Sequence, residues 1–567
     1  MRNLMNIKLF VLMTALLLGV QMATAYDFEE AGIYYNVNDD GTTLTVTYKW
    51  TDWDNYNDSL LYGGDVTIPA TVTYNGTTYS VSTIGESAFY NCIGLTSIDI
   101  PNSVTTIGEG AFDGCISLTS IDIPNSVTTI GELAFGGCTG LTNMAIPNSV
   151  TTIGNLAFDN CSGLTSFTLP NSVTTFGEDE ILNPLCGCGG LTSITVDPGN
   201  IVYDSRDNCN AIIKTATNMM LSGCQATVIP RSVTGISAYS FCNCVNLTSI
   251  FIPNTITSIT GIGDYYVYGL FGGCDNLASI IVENGNPVYD SRDNCNAIIE
   301  TATNTLIAGC GNSVIPNTVT AIGCSAFGGC MSLSSINFPP SVKTIGSYSF
   351  SICSLTEVTI GEGVDSIADC AFRICPNLKK LDLGSVVYIG QMAFSGCTGL
   401  SHVTIPNSFV SAQSYYAHSW FYNCLGLTSV TIGSGMAHMG LMFCGCPNIT
   451  KVTNLAITPP ITDLFMTEGV IASNFTDEVY EQATLYVPVG SVEDYKVARY
   501  WKNFQNIRPL GDSDGDGGLG ISDVSSLIDY LLTEDANGMD LGAADADGNG
   551  KVEIADLSVL IDMLLNL

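Results

Sequence analysis

Residues 95–117 read LTSIDIPNSVTTIGEGAFDGCIS, residues 118–140 read LTSIDIPNSVTTIGELAFGGCTG, and residues 141–163 read LTNMAIPNSVTTIGNLAFDNCSG. Leu95, Leu118, Leu141 and Leu164 stand 23 residues apart, as do Phe112, Phe135 and Phe158. The spacing stretches after Leu164, but the same positions return at Leu333, Leu378, Leu400 and Leu427. A unit this short cannot bury its own apolar side, whereas stacked units share one core. The period therefore predicts a mainly β, parallel solenoid over residues 82–455. Within one unit, Leu95, Ile98 and Ile100 point inward from a short strand, and Pro101-Asn102 turns the chain. Val104 and Ile107 supply a second inward segment, and Ala111-Phe112 plugs the coil from a helical or 3₁₀ turn. The outward position between the last two strand anchors is Asp99, Asp122, Ala145, Thr168, Thr195, Phe251, Ile281, Asn337, Thr359, Asp382, Thr404 and Thr431. That row predicts one long, mainly polar face.

Two insertions break the rhythm, near residues 203–224 and 289–310. YDSRDNCNAIIKTATNMMLSGC and YDSRDNCNAIIETATNTLIAGC agree at 17 of 22 positions. Each reads as a strand, an Ala-Thr-Asn turn and a second strand. Arg206 or Arg292 sits inside the Asp-rich DSRDN, which favours a structural role over a metal loop. Both ends of the array read as capped. Residues 26–81 carry two hairpin signals, one around Asn38-Asp39-Asp40-Gly41 and one around Asn75-Gly76, and predict an N-terminal β cap. Residues 456–510 predict a small α/β C-terminal cap. There Ala483 to Pro488 is a strand, and Ser491 with Asp494 caps a short helix carrying Tyr495, Tyr500 and Trp501.

The chain has 17 basic residues against 53 acidic ones, a formal net charge of -36. Such a surface repels nucleic-acid backbones and anionic lipid. Arg2 and Lys8, the apolar stretch Leu9 to Val20 and Ala23-Thr24-Ala25 together predict a secretory signal over residues 1–25. The apolar run is short of the ~20 residues a membrane span requires. All 22 cysteines lie in the repeat region. Thirteen of them, Cys92, Cys115, Cys138 and Cys161 among the first, occupy one repeat position just before the next leading Leu. They read as a ladder of buried, reduced thiols. Cys209 with Cys224, and Cys295 with Cys310, are the better disulfide candidates because each insertion repeats the pair. No GxSxG elbow, HExxH, phosphate loop or strand-linked GxGxxG occurs, so catalytic residues are expected to be none.

The strongest site signal lies at residues 511–567. DSDGDGGLGISD runs from Asp512 to Asp523, and DADGNGKVEIAD from Asp545 to Asp556. Calcium takes six to eight oxygens, and the sharp bend that converges them needs a glycine at loop position 6. Asp512, Asp514, Asp516 and Asp523 supply positions 1, 3, 5 and 12 of the first loop, with Gly517 at the bend. Asp545, Asp547, Asn549 and Asp556 supply the second, with Gly550 at the bend. Backbone carbonyls of Gly518 and Lys551 fill position 7, so two Ca2+ sites are expected. Position 12 is Asp instead of Glu, and no entering helix precedes either loop. A helical pattern follows each: Val524, Leu527, Ile528, Leu531 and Leu532, then Leu557, Leu560, Ile561, Leu564 and Leu565.

The repeat unit resembles the BspA-like leucine-rich repeat family over roughly Val66 to Leu455. The segment ATLYVPVGSVEDYKVARYWKNFQNI resembles the usual end of such arrays. The paired loop-then-helix units, 33 residues apart, resemble a type I dockerin. The resemblance implies a leucine-rich-repeat solenoid followed by a small all-α calcium-loop domain at 511–567. It further implies adhesion or binding by the array, and docking to a cohesin-like partner that needs calcium. Partner contacts fall on Ile521, Ser522 and Leu527 of one unit and on Ile554, Ala555 and Leu560 of the other. Ile521-Ser522 and Ile554-Ala555 do not match fully, which bears on whether both units dock alike. The expected protein is a secreted or cell-surface, non-catalytic bacterial adhesion or scaffold protein that binds a protein or glycan ligand on the array. The alternative is a carbohydrate-targeting subunit of a polysaccharide-degrading complex. A third reading, ice or crystal binding by Thr-rich faces, conflicts with the insertions and with Asp99, Asp122 and Asp382.

Overall fold

The structure, a computed structural model, describes residues 26–48, 62–177, 182–260, 268–409, 419–462, 465–467 and 470–565. The expected signal segment lies outside the described residues. Two compact units divide the chain, Met1–Thr227 and Val228–Leu567.

In the first unit, Ile33–Val37 and Thr43–Thr47 form an antiparallel hairpin. Asp40 closes it by accepting the backbone N–H groups of Thr42 and Thr43 at 2.7 and 2.8 Å. The second hairpin joins Thr71–Tyr74 to Thr77–Ile84. Its turn residues, Asn75 and Gly76, have φ of 50° and 80°. That left-handed pair gives the tight turn whose twist suits antiparallel strands. The two hairpins then pair with each other in parallel, which turns an antiparallel start into the parallel ladder of the repeats. Thr106–Ile107, Thr129–Ile130, Thr152–Ile153 and Thr175–Phe176 follow, each parallel to the last and offset by one 23-residue period. The regular ladder of this unit is thus the Thr-Ile step. The leading Leu segments form ladders at Leu95–Asp99 with Gly64–Thr67 and at Ser166–Leu169 with Ser193–Val196. Between the leading segments at Leu118 and Leu141, a single long bond, Thr142 N to Thr119 O at 3.4 Å, takes the place of a ladder. Ile100, expected to be buried, is half-buried beside Pro101.

The interior explains the sequence period. Phe89, Phe112, Phe135 and Phe158 stack with ring centroids 5.1, 5.3 and 5.7 Å apart. In the second unit Phe327, Phe350, Phe372, Phe394 and Phe421 stack at 5.0 to 5.3 Å. Most ladder cysteines reach back one coil to a phenylalanine, whereas Cys330 meets Ser332 Oγ at 3.5 Å. Cys115 Sγ donates to Phe89 O at 3.1 Å, Cys138 to Phe112 O at 3.1 Å and Cys161 to Phe135 O at 3.0 Å. Cys375, Cys397 and Cys424 repeat the bond to Phe350, Phe372 and Phe394. A thiol fits because it is small, apolar overall and still a weak donor.

All 22 cysteines are free thiols. The two insertion pairs, singled out above as disulfide candidates, are free as well. Cys209 points to Ala211 O at 3.9 Å and Cys224 to Asn210 O at 3.6 Å. Each insertion is an antiparallel hairpin, Ala211–Lys214 with Met219–Gly223 and Ala297–Glu300 with Thr305–Gly309. The DSRDN arginine holds the turn. Arg206 Nη2 lies 2.6 Å from Asp204, and its Nη1 donates to Asn218 at 2.8 Å.

The repeats of the second unit run into one five-stranded parallel sheet: His402–Ile405, Ser429–Ile432, Lys451–Asn454, Thr484–Val487 and Asn506–Pro509. The last two strands carry the repeat ladder into the expected cap. The cap helix is shorter than its sequence pattern predicts, spanning Val492–Val497, and Ser491 makes no side-chain capping bond. Tyr495 is on it and fully buried, with its hydroxyl on Ala456 O at 2.8 Å. Trp501 lies beyond it in a short 3₁₀ turn, and its Nε1 donates to Pro460 O at 2.9 Å. Among the described residues no helix is long and apolar enough to cross a membrane.

Candidate metal loops and their surroundings

The sequence doubling at 512–523 and 545–556 becomes a doubling of hydrogen bonds. Gly517 N donates to Asp512 Oδ2 and Gly550 N to Asp545 Oδ2, both at 3.0 Å. Asp514 N and Asp547 N donate to the Oδ1 atoms of Asp523 and Asp556, both at 3.1 Å. Gly520 N and Glu553 N donate to the Oδ2 atoms of the same two residues at 2.7 Å. Asp516 N and Asn549 N bond Asp514 and Asp547 at 3.1 and 2.9 Å. Gly517 and Gly550 have φ of 92° and 87°, a backbone region closed to side-chain-bearing residues without strain.

One carboxylate oxygen from each of Asp512, Asp514 and Asp516 lies within 4.8 Å of the others, and the same holds for Asp545, Asp547 and Asp556. Asp523 and Asp556 are fully buried, Asp512 and Asp545 nearly so. Desolvation pushes the carboxyls of Asp512 and Asp556 above their ordinary value. The decisive atoms are Asp512 Oδ1 and Asp545 Oδ1, buried oxygens with no hydrogen-bond partner. Each belongs to a position-1 residue whose other oxygen is taken by the position-6 amide. An unsatisfied buried carboxylate oxygen is costly, and a hard cation is the partner such oxygens suit. Asn549, by contrast, is exposed, and its Nδ2 bonds Asp547.

Helices Ile521–Thr533 and Ile554–Leu565 follow the loops. Leu527 and Leu560 are fully buried, packed with Ala544 and Ala546, with Leu519 and Val552 of the loops partly buried against them. This corrects their expected placement on a partner-facing surface: at mid-helix they fall on the stripe that each helix needs for its own core. The residues left outside are Ile521, Ile528 and Leu532, matched 33 residues on by Ile554, Ile561 and Leu565, all exposed. Ser522 and Ala555 are exposed as well. The 33-residue spacing could have shown this second set, because it repeats the i, i+7, i+11 pattern of one helix face.

The outward row of the repeats is exposed in the first unit at Asp99, Asp122, Ala145, Thr168 and Thr195. In the second unit it is exposed at Phe251, Ile281, Asn337, Thr359 and Asp382, but Thr404 is half-buried and Thr431 is buried. The exception has a visible cause: Thr431 Oγ1 donates to Gly548 O of the second acidic loop. Phe251 and Ile281 face each other across a parallel pair and are 47% and 50% exposed. They form an apolar spot in a polar row.

The family model described as BspA type leucine rich repeat region matches this chain in six copies, over residues 72–205, 211–295, 308–419 and 383–461. The model of the dockerin type I domain matches residues 510–565. Among solved structures the chain is similar to a leucine rich cell surface protein from Faecalibacterium prausnitzii A2-165. The two are 26% identical over 75% of this chain and 94% of that chain, with a TM-score of 0.38. It is also similar to a leucine-rich repeat protein from Bacteroides ovatus, 26% identical over 76% of this chain and 94% of that one, with a TM-score of 0.32. No curated protein matches the chain.

Proposed function

Since this chain belongs to the BspA type leucine-rich repeat family and ends in a type I dockerin domain, we propose that it is an extracellular binding protein. In this reading a repeat solenoid displays a ligand face, and a calcium-closed module docks the chain to a cohesin-like partner. The array spans 82–455, its C-terminal cap 456–510 and the docking module 511–567. Two Ca2+ ions are held by the side chains of Asp512, Asp514, Asp516 and Asp523 with Gly518 O, and of Asp545, Asp547, Asn549 and Asp556 with Lys551 O. The observation that carries this is the pair of unpartnered oxygens, Asp512 Oδ1 and Asp545 Oδ1. Bound calcium supplies the positive charge that lets the convergent carboxylates stay ionised together. The exposed faces led by Ile521-Ser522 and Ile554-Ala555 then meet the partner. The protein carries no catalytic site of its own. On the array, the Phe251–Ile281 spot and the polar row around it form the ligand surface, for a protein or a glycan.

Calorimetric titration of the full chain tests the metal reading, with two calcium equivalents as the expected result. Asp512→Ala combined with Asp523→Ala removes one equivalent and weakens capture of an immobilised cohesin module. A chain that takes up no calcium ends the reading.

A further inference from the structure

The second acidic loop does not stand free of the repeats. The five-stranded sheet aligns Thr404, Thr431, Thr453, Tyr486 and Arg508 in one outward row. Residues 540–550 lie along that row. Arg508 Nη1 donates to Asp540 Oδ2 at 2.7 Å, and the Tyr486 hydroxyl donates to Asp540 Oδ1 at 2.8 Å. Tyr486, Leu510 and Ala543 share a small core with Leu455 and Met563. Two glycines make the approach possible. A Cβ at Gly542 would collide with the Tyr486 ring, and one at Gly548 would stand 2.7 Å from Thr431 Cγ2, while Gly550 lies within ordinary contact distance of His402.

At the centre, Lys451 Nζ lies 2.6 Å from Asp545 Oδ2. Asp545 is 2% exposed. Its Oδ2 therefore serves two donors, Lys451 and Gly550 N, while Oδ1 remains unpartnered. The lysine thus shares the oxygen already held by an amide and leaves the unpartnered one available. Asp512, the equivalent residue of the first loop, shares its Oδ2 with Gly517 N, and no lysine or arginine forms an ion pair with it among the described residues.

We propose that the outward face of the last coils is a docking surface for the chain's own second acidic loop, and that calcium loading of that loop and its seating on the array are coupled through Lys451 and Asp545. The inference rests on the calcium reading given above. The surface that meets the array, made by Gly548 O, Gly550 and Asp545 Oδ2, exists only when the loop is closed. Calcium also needs the closed loop. Two events that share one conformation must strengthen each other reciprocally. Seated, the loop covers Thr431 and Lys451, so this end of the array is shut to outside ligands while the row from Phe251 to Asp382 stays open. Removing calcium opens the loop and frees the face.

The experiment uses the full chain. Calcium uptake is first counted by calorimetry, and lysines are then acetylated with a water-soluble ester in calcium and in chelator. Mass spectrometry reads Lys451 against the exposed Lys380 and Lys496. Lys451 should be protected in calcium and react on the order of ten-fold faster in chelator, with both reference lysines unchanged. Asp556 makes no hydrogen bond or ion pair with an array residue among the described residues, and Asp556→Ala should expose Lys451 even in calcium. In the reciprocal arm, Lys451→Met should weaken one of the two calcium sites by roughly five-fold or more, and Lys451→Arg should restore it. Two bound ions with Lys451 reactivity indifferent to chelator would overturn the coupling and leave the calcium reading standing. So would an unchanged or tightened second site in Lys451→Met. Failure to bind calcium at all would remove both.

Discussion

A phenyl ring and a thiol divide the work of joining one coil to the next. Phe135 fills the coil centre and stacks on Phe112 and Phe158, so its loss opens a cavity between three coils. Phe135→Ala is expected to destabilise by about 3–5 kcal/mol. Cys138 contributes one weak bond to Phe112 O, a carbonyl that also accepts from Cys115 N. Cys138→Ala should cost only about 1 kcal/mol. Urea unfolding of the full chain, followed by hydrogen exchange on the flanking coils, separates the two. Chemistry at the same thiol gives a second expectation. Burial pushes the Cys138 thiol up to about 12. At pH 8 its reactive thiolate is then only about one part in ten thousand. Maleimide should label the ladder slowly in the folded chain and rapidly in denaturant without reductant. Cysteines that stay unreactive in denaturant would mean disulfides between coils.

At the level of elements, two loop-helix units repeat because their sequences do. The bend glycines are the residues least open to change. Gly517→Ala or Gly550→Ala forces a Cβ into a left-handed conformation, at a cost of about 1–2 kcal/mol. Each should lower calcium affinity of its own loop by roughly ten-fold, since about 1.4 kcal/mol is a factor of ten. Titration of either variant should show one weakened and one ordinary site. The helix surfaces carry a different expectation. Ile521 and Ile554 are 81% and 77% exposed, so charge there disturbs no core. Ile521→Asp with Ile554→Asp should abolish cohesin capture and leave helical circular dichroism intact. If only one of the two single variants affects capture, the units dock unequally, in keeping with the Ser522 and Ala555 difference.

For the whole molecule, the array and the module stand on different physical footings. Each unit of the array closes on its own apolar core of stacked rings. The module closes on four fully buried residues, two of them alanines. Burying two leucines supplies only about 2–3 kcal/mol each. Against that stand 13 acidic residues and one lysine within residues 511–567. Chelation of the full chain should therefore erase the module's helical signal and leave the β signal of the array. Equal loss of both would tie the array to the metal, and loss of neither would remove calcium from the module's folding.

Much of this was legible in the chain itself, because the features concerned are local or periodic. The 23-residue Leu and Phe spacing dictated stacked parallel coils, since no other arrangement buries those positions together. The loop spacing dictated two convergent oxygen sets, because ligand, bend and ligand are neighbours in sequence. Where the pattern was ambiguous, packing decided. Leu527 shares its helix with exposed Ile528, and Leu560 shares its own with exposed Ile561; only the meeting of the two helices settles which stripe turns inward. The free state of Cys209 and Cys224 was likewise a matter of where hairpin geometry aimed each thiol. The pairing of Lys451 with Asp545 spans 94 residues and follows no repeat. Contacts of that kind depend on where a finished sheet presents its outward row, and only the tertiary structure places that row beneath the second loop.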